Sequence, residues 1–214
     1  MMDQAGGVAD ADALADAVIA RAEGRPRFVV ALAGAPGSGK STLSDALQRA
    51  LEERGAAAVI VPMDGFHLDN AVIGPRGLLA RKGSPLTFDA AGYHALLRRI
   101  RDRPDEAVAV PVFDRGLDLA RAGARIVEPG HRIVITEGNY LLLDEAPWSD
   151  LAGLFDLTVM VFADADLLRR RLIDRWLGHG HDAEAAEHRA MQNDIPNAEL
   201  VLARSRTADL MVHG

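Results

Sequence analysis

An α/β fold with a mainly parallel sheet of about five strands flanked by helices is predicted from two features of the sequence. Apolar runs of strand length alternate with longer segments of helical periodicity, which is typical of parallel sheets with helical crossovers. The segment 34–41, Gly-Ala-Pro-Gly-Ser-Gly-Lys-Ser, directly follows one of these apolar runs. A glycine-rich loop between a strand and a helix binds phosphate groups in such folds. The 214 residues predict one domain, 1–214.

Helix breakers and capping residues mark the boundaries in the first half of the chain. Gly24-Arg25-Pro26 ends an acidic, alanine-rich helix, and Gly55 ends the helix that follows the glycine-rich loop. The segment 68–88 contains several glycines and two prolines, so it is predicted to be mostly loop with one short helix. Asp89 can cap the helix that follows it. The elements predicted for this half are helices 11–22 and 40–54, strands 28–33 and 57–61, and a helix through 93–100.

Strands and helices also alternate in the second half. Pro111 has no N–H to donate to a sheet ladder, so its strand is expected to lie at an edge. A polar, hairpin-like excursion follows this strand as far as residue 127. The elements predicted for this half are strands 107–113, 132–136 and 157–162, helices 166–177 and 183–193, and a final apolar run at 210–212.

Composition limits the classes of partner and compartment. The formal net charge of −7 argues against a general nucleic-acid binder, because a phosphate-tracking surface is usually basic. The absence of cysteine excludes disulfides and thiolate ligands and fits a reducing compartment. Met1–Gly6 lack the basic and apolar regions of a secretory signal, and no run approaches the length of a membrane span. We therefore expect a cytoplasmic protein without nucleic-acid or membrane partners; a homodimer is left open.

The glycine-rich loop has the full G-x-x-x-x-G-K-[ST] pattern. Its backbone N–H groups and the following helix N-terminus would hold phosphate oxygens, Lys40 would neutralise the outer phosphates, and Ser41 would bind the Mg²⁺ that accompanies ATP. The alternative is a glycine-rich turn with a solvated lysine. The residues predicted to bind the nucleotide are Gly34, Ala35, Pro36, Gly37, Ser38, Gly39, Lys40, Ser41 and Thr42.

Two carboxylates follow apolar strands, at the sheet edge where ligands of α/β proteins bind. Glu137 is expected to hold Mg²⁺ together with Ser41, although it could be a surface carboxylate at a strand end. Asp64 is a candidate general base for an acceptor hydroxyl. Its alternative is the ordinary role of an Asp-Gly pair in a turn.

An arginine-rich helix is predicted within a lid region at about 166–182. Arg171 and Arg175 are spaced i,i+4 and therefore share one face of this helix. A lid that closes over bound triphosphate would place their guanidinium groups on the transferring phosphoryl oxygens and keep water out. A solvated basic face is the alternative.

Taken together, the motifs resemble the P-loop kinase superfamily that contains phosphoribulokinase, uridine kinase and bacterial type I pantothenate kinase. The resemblance runs from Phe28 onward and implies a P-loop NTPase fold, ATP-dependent phosphorylation, and Asp64, Glu137 and Arg175 as working groups. The matching motifs are Asp64-Gly65-Phe66, Arg76-Gly77-Leu78, Lys82-Gly83-Ser84-Pro85, Phe88-Asp89, Glu137-Gly138-Asn139-Tyr140, Asp166-Leu167-Leu168, Asp174-Arg175-Trp176-Leu177, Asn193 and Asn197.

One motif departs from the pantothenate kinase pattern at a strand end that would face the acceptor. Where those enzymes carry Val-Tyr-Ser-His, this chain has Val112-Phe113-Asp114-Arg115. That version resembles a bacterial group of nucleoside kinase-like proteins linked to fructose transport systems. Asp114 and Arg115 could instead pair with each other. The expected acceptor contacts are Asp64, His67, Asp114, Arg115, Tyr140 and Asn197.

The sequence therefore predicts a Mg²⁺- and ATP-dependent kinase for a hydroxyl of a small metabolite such as a sugar, a nucleoside or a pantothenate-like acid. A nucleotide-dependent regulatory switch uses the same loop without any acceptor, and it is the rival interpretation. Asp64 and the acceptor-side residues argue against it, because a switch does not need them. A nucleic-acid kinase is disfavoured by the acidic balance of the chain.

Overall fold

A computed structural model describes residues 6–7 and 10–214. Most of the segment on which the expectation of no secretory signal rests, residues 1–5, lies outside the described residues. No helix within the described part is long and apolar enough to cross a membrane.

The main sheet has six parallel strands within the described residues, five of them four residues or longer, which confirms the predicted parallel α/β fold. The strands of this sheet are β1 (Gly6–Gly7), β2 (Phe28–Gly34), β3 (Ala58–Pro62), β6 (Ile133–Gly138), β7 (Leu157–Phe162) and β8 (Leu210–His213). Their order across the sheet is β1-β8-β7-β2-β6-β3.

A separate two-stranded antiparallel sheet is formed by β4 (Val108–Asp114) and β5 (Leu119–Val127). It corresponds to the strand and hairpin predicted for this region. Each strand of a two-stranded sheet is an edge, and the register shifts between Val110 and Val112, at Pro111, as expected for a residue that cannot donate to the ladder. The turn of this hairpin carries Arg115.

Seven α-helices are described, and six of them lie where the sequence predicts helix. They are α1 (Ala11–Ala22), α2 (Lys40–Glu53), α3 (Asn70–Ile73), α4 (Ala90–Asp102), α5 (Ala165–Gly178), α6 (Ala183–Arg189) and α7 (Ile195–Arg204).

Helix α7 is not predicted by the sequence pattern, and the helix expected at 183–193 has a different form. Helix α6 ends at Arg189, a π-helical turn follows at Ala190–Asp194, and α7 continues the same rod. Pro196 lies in the first turn of α7, directly after the π-helical turn, and has no N–H to donate to the preceding turn. The helical rod nevertheless continues past the proline.

The sheet packs between two layers of apolar side chains. On one face α1 and α2 cover β2 and its neighbours, with Leu14, Leu47 and Leu51 fully buried. On the other face α4 packs against the sheet, and the Tyr93 hydroxyl hydrogen-bonds the hydroxyl of Thr136 on β6. Because both faces are covered, ligands reach the sheet at its strand ends.

Strand register brings three loops together. β6 lies between β2 and β3, and Glu137 is opposite Leu32 of β2 and Pro62 of β3. The glycine-rich loop follows β2, and Asp64 lies in a 3₁₀ turn (Met63–Phe66) directly after β3. All three strands are parallel, so their carboxyl ends place these groups at one edge of the sheet.

Substitution Gly65→Ala is expected to destabilise the fold by about 1–3 kcal/mol, because other atoms already fill the space that the added methyl group would occupy. A Cβ at Gly65 would lie 2.7 Å from the carbonyl carbon of Pro111, so β4 or the turn that carries Asp64 must move. Urea unfolding measures the change. Gly153→Ala is the matched control, since a Cβ there meets nothing within 4 Å; an equal effect of the two substitutions would contradict the packing argument.

Candidate active site

The glycine-rich loop is built for close approach of a ligand to its backbone. It leaves β2 at Gly34, and α2 begins at Lys40. Gly37 and Gly39 have φ values of +81° and +93°, a conformation that residues with a Cβ rarely adopt. Such a loop can hold phosphate oxygens with its backbone N–H groups, and the dipole of α2 also favours an anion at this position.

Lys40, Ser41 and Glu137 lie together beneath this loop. The Ser41 hydroxyl donates a hydrogen bond of 3.2 Å to Oε2 of Glu137, a carboxylate whose residue is only 7% exposed. Burial raises the pKa of Glu137, and the charge of Lys40 opposes that rise. Burial likewise lowers the pKa of Lys40, while Glu137 and Asp64 oppose the fall. Each of the two charges therefore favours the ionised form of the other.

The oxygen pair of Ser41 and Glu137 fits a magnesium ion carried by a nucleotide. Mg²⁺ prefers oxygen ligands and commonly takes only one or two side-chain ligands beside phosphate oxygens and water. No group of three or more His, Cys, Asp or Glu side chains with metal-binding geometry occurs among residues 6–7 and 10–214. The residues present therefore suit a metal that arrives with triphosphate.

Two adjoining cavities meet at the carboxyl edge of the sheet. One, of about 620 Å³, surrounds the glycine-rich loop and is also lined by Glu137, Arg171 and His213. The other, of about 630 Å³, lies between the β4–β5 hairpin, the 3₁₀ turns of residues 79–88 and the α6–α7 rod. The residues that line both cavities are Pro36, Asp64, Arg115, Asn139 and Arg175.

Asp64 and Arg115 form an ion pair at the junction of these cavities. Nη2 of Arg115 donates to Oδ2 of Asp64 at 3.0 Å. The pairing of Asp114 with Arg115 that the sequence allowed is not observed. Asp114 Oδ1 instead accepts hydrogen bonds from the backbone N–H groups of Gly116 and Leu117, and its other oxygen lies 3.3 Å from Arg121. Asp114 shapes the hairpin turn and does not line either cavity.

The predicted lid arginines lie on α5 above the loop. Arg171 Nη1 donates a hydrogen bond of 3.2 Å to the carbonyl oxygen of Gly37, and Arg175 lines both cavities. Arg169 faces elsewhere, since it pairs with Glu187 at 2.7 Å. Arg171 and Arg175 therefore lie at the nucleotide cavity, as the lid prediction requires, whereas Arg169 on the same helix does not.

The π-helical turn presents a row of polar side chains to the second cavity. The turn contributes Gln192, Asn193 and Asp194 to the lining of this cavity, and the following helix α7 contributes Asn197. Asn193 Nδ2 donates to the carbonyl oxygen of Lys82 at 2.8 Å. Asn197 therefore lines the cavity in which the acceptor contacts were expected. The sequence analysis did not select the neighbouring Gln192, Asn193 and Asp194 as acceptor contacts.

Trp176 and Asp194 were missed as cavity residues. The indole of Trp176, interpreted from the sequence as a packing anchor, lines the second cavity and donates from Nε1 to Oδ2 of Asp194 at 2.6 Å. Burial raises the pKa of Asp194, and this hydrogen bond opposes the rise. Arg175 and Arg189 lie 5.9 Å and 5.1 Å from the indole ring. The only sequence signal was the i,i+4 spacing of Leu172 and Trp176.

His67 lines the second cavity, where burial favours the neutral form of its ring. Its ring lies between Phe88 and Phe113, at centroid distances of 4.0 Å and 4.5 Å. Burial lowers the pKa of His67, although Asp64 opposes the shift. The 2.8 Å contact to the carbonyl oxygen of Asp64 requires that Nδ1 carry the proton, which leaves Nε2 as an acceptor.

Tyr140 does not line either cavity, contrary to the expectation that it contacts the acceptor. The side chain is fully buried between Phe88 and Trp148, and its hydroxyl donates to the carbonyl oxygen of Gly83 at 2.6 Å. Tyr140 supports the loop that carries Lys82. The preceding residue, Asn139, lines both cavities instead.

Comparison with known proteins gives a consistent set of relatives. Residues 29–213 match the model of the Phosphoribulokinase / Uridine kinase family. A protein of Schizosaccharomyces pombe provisionally named as a uridine kinase is 36% identical over 194 residues, which cover 87% of this chain and 83% of that protein. A pantothenate kinase of Enterococcus faecalis is 24% identical over 212 residues, with 88% and 69% covered.

A solved structure from Silicibacter sp. TM1040 is similar over almost its whole length. It is provisionally described as a fructose transport system kinase, is 46% identical, and superposes with a TM-score of 0.88. The match covers 94% of this chain and 98% of that chain. The fold is therefore that of a P-loop kinase.

Through His67, acidification from pH 7 to pH 5 is expected to lower the free energy of unfolding, while the raised pKa values of Glu137 and Asp194 act in the opposite direction. The folded pKa of His67 lies below the unfolded value of about 6.5, so the unfolded chain binds more protons at this residue, and its contribution to stability falls as the pH drops below that value. Each unit of depression costs about 1.4 kcal/mol at low pH. Urea unfolding of His67→Asn at pH 7, 6 and 5 should show a shallower pH dependence than the parent protein. An unchanged dependence would mean that His67 is not held neutral.

Proposed function

Because the chain belongs to the phosphoribulokinase and uridine kinase family of small-metabolite kinases, we propose that it transfers the γ-phosphate of ATP to a hydroxyl group of a sugar-like acceptor. The observation that carries the proposal is the junction of the two cavities. One cavity contains a phosphate-binding loop, the other contains polar and aromatic side chains, and Asp64 lines both. A hydroxyl in the second cavity can therefore meet the end of a triphosphate in the first.

The nucleotide side of the mechanism uses the loop and the groups beneath it. Backbone N–H groups and Lys40 hold the β- and γ-phosphates, and α5 brings Arg171 and Arg175 over them. Ser41 and Glu137 would supply oxygen ligands for Mg²⁺, and the bound ion would neutralise charge that develops on the phosphate oxygens. Exclusion of water by the α5 lid limits hydrolysis.

The acceptor side of the mechanism depends on Asp64. The acceptor oxygen attacks the γ-phosphorus in line with the bond to the β–γ bridging oxygen, and that bond breaks so that ADP leaves. The hydroxyl proton passes to the carboxylate of Asp64 as the new O–P bond forms. His67 and Asn197 are placed to orient the acceptor, since both line its cavity.

The chemistry of the second cavity supports a hydroxyl-rich acceptor. Carboxamide side chains can both donate to and accept from hydroxyl groups, and aromatic rings pack against the C–H faces of a sugar. The similarity to the Silicibacter protein supports the same class, by the name given to that protein. The carboxamides and aromatic rings that line the cavity are Asn70, Asn139, Gln192, Asn193, Asn197, Phe88, Phe113 and Trp176.

Loss of catalysis in two variants tests the proposal, with ADP release measured in the presence of Mg²⁺, ATP and a panel of sugars, polyols, nucleosides and pantothenate. Lys40→Ala is expected to lower kcat/KM by roughly a thousandfold or more, because it removes charge from the phosphates. Asp64→Asn is expected to lower kcat by about 10²- to 10⁴-fold with little loss of ATP binding, because it removes only the base.

Asp45→Asn is the matched control, since Asp45 is an exposed carboxylate on α2 that lines neither cavity. It should retain full turnover. Full activity of Asp64→Asn would refute the general-base assignment. Slow hydrolysis that no acceptor stimulates would refute the kinase proposal and favour a nucleotide-dependent switch.

A further inference from the structure

The ion pair between Arg115 and Asp64 places a cation on the group proposed to act as the base. Oδ2 of Asp64 accepts from Nη2 of Arg115 at 3.0 Å, so one oxygen of the carboxylate is occupied. Both side chains retain contact with solvent, since 55% of the Arg115 side-chain surface and 26% of the Asp64 side-chain surface are exposed. Ion pairs at this exposure contribute at most about 1 kcal/mol, so a stronger anion can displace the carboxylate.

Arg115 has unused hydrogen-bonding capacity, whereas Lys82, another cation that lines the second cavity, does not. A guanidinium carries five N–H donors, and the contact with Asp64 uses one of them. The ammonium of Lys82 has three donors, and three oxygens surround it: Asn70 Oδ1 at 2.8 Å, the Asp118 carbonyl at 2.7 Å and Asp118 Oδ1 at 2.9 Å. Lys82 is therefore committed to the hairpin turn, while Arg115 can bind a ligand.

The backbone that carries Arg115 is fixed on both sides. Asp114 caps the turn through the N–H groups of Gly116 and Leu117, and Asp118 is held by Lys82 and Asn70. A long exposed side chain on a rigid turn can change its partner without movement of the fold. Its reach includes the nucleotide cavity, because Arg115 lines that cavity together with Lys40, Ser41 and Glu137.

We propose that Arg115 is a catalytic residue that leaves Asp64 when triphosphate binds and contacts the γ-phosphate, so that Asp64 becomes free for the acceptor hydroxyl. The observed ion pair is then the resting arrangement. Phosphate oxygens bind guanidinium more strongly than one partly exposed carboxylate does, since they can accept two parallel hydrogen bonds. The inference rests on the proposed function, and it assigns Arg115 to the nucleotide instead of the acceptor.

The test compares binding of Mg²⁺ complexes of ADP and of adenosine 5′-(β,γ-imido)triphosphate by calorimetry, and it needs no knowledge of the acceptor. Arg115→Ala is expected to weaken binding of the imido analogue by roughly 10- to 100-fold and to change ADP binding by less than about twofold, because ADP lacks the γ-phosphate. Arg115→Lys should recover part of the loss. Arg121→Gln is the matched control, as Arg121 lies on the same hairpin and lines neither cavity.

A double-mutant cycle with Asp64→Asn tests the exchange of partners. Removal of the resting partner should strengthen binding of the imido analogue by a few fold when Arg115 is present, and by less in the Arg115→Ala background. An equal gain in both backgrounds would show that Asp64 acts by its charge alone and would overturn the exchange.

The remaining outcomes separate this inference from the proposed function. Equal losses for ADP and the imido analogue in Arg115→Ala, or no loss for either, would overturn the assignment of Arg115 to the γ-phosphate while the kinase proposal stands. A parent protein that binds neither nucleotide would overturn the proposed function and this inference with it.

Discussion

The register of three parallel strands is the constraint on which the site depends. β6 is paired with β2 on one side and β3 on the other, so the glycine-rich loop, Glu137 and Asp64 all end at the same edge. A shift by one residue would turn the Glu137 side chain to the opposite face of the sheet. The packed layers on both faces prevent such a shift, and Tyr93 adds a hydrogen bond to Thr136, the residue before Glu137.

This arrangement concentrates charged side chains at one edge of the sheet. Lys40 and Glu137 oppose each other's desolvation, and Arg115 pairs with Asp64 at the junction of the two cavities. The groups gathered around the nucleotide cavity are arginines and a lysine facing two carboxylates, an excess of positive charge that suits a triphosphate. The chain as a whole is acidic. The local positive charge of the site therefore attracts anions although the net charge of the molecule is negative.

Local patterns were sufficient to predict the fold. The loop glycines, Lys40 and Ser41 are contiguous, Asp64 follows one apolar strand, and Glu137 lies near the end of another, so the pairing of parallel strands brings these groups to one edge of the sheet. The acceptor side could not be predicted in the same way, because it is assembled from distant segments. Tyr140 turned inward to hold Gly83, Asp114 capped its own turn, and the π-helical turn moved Asp194 beneath Trp176. Such side-chain directions depend on tertiary packing and leave no periodic signal.

The central claim is that the phosphoryl group is transferred to a small hydroxyl compound, and the chemical identity of the phosphorylated product tests it most directly. The protein would be incubated with Mg²⁺, [γ-³²P]ATP and a mixture of sugars and polyols, and the labelled products separated and identified. The account predicts label in an acid-stable phosphate ester of one small alcohol, formed by the parent protein and not by Asp64→Asn. Label confined to inorganic phosphate, at equal rates in both proteins, would contradict it.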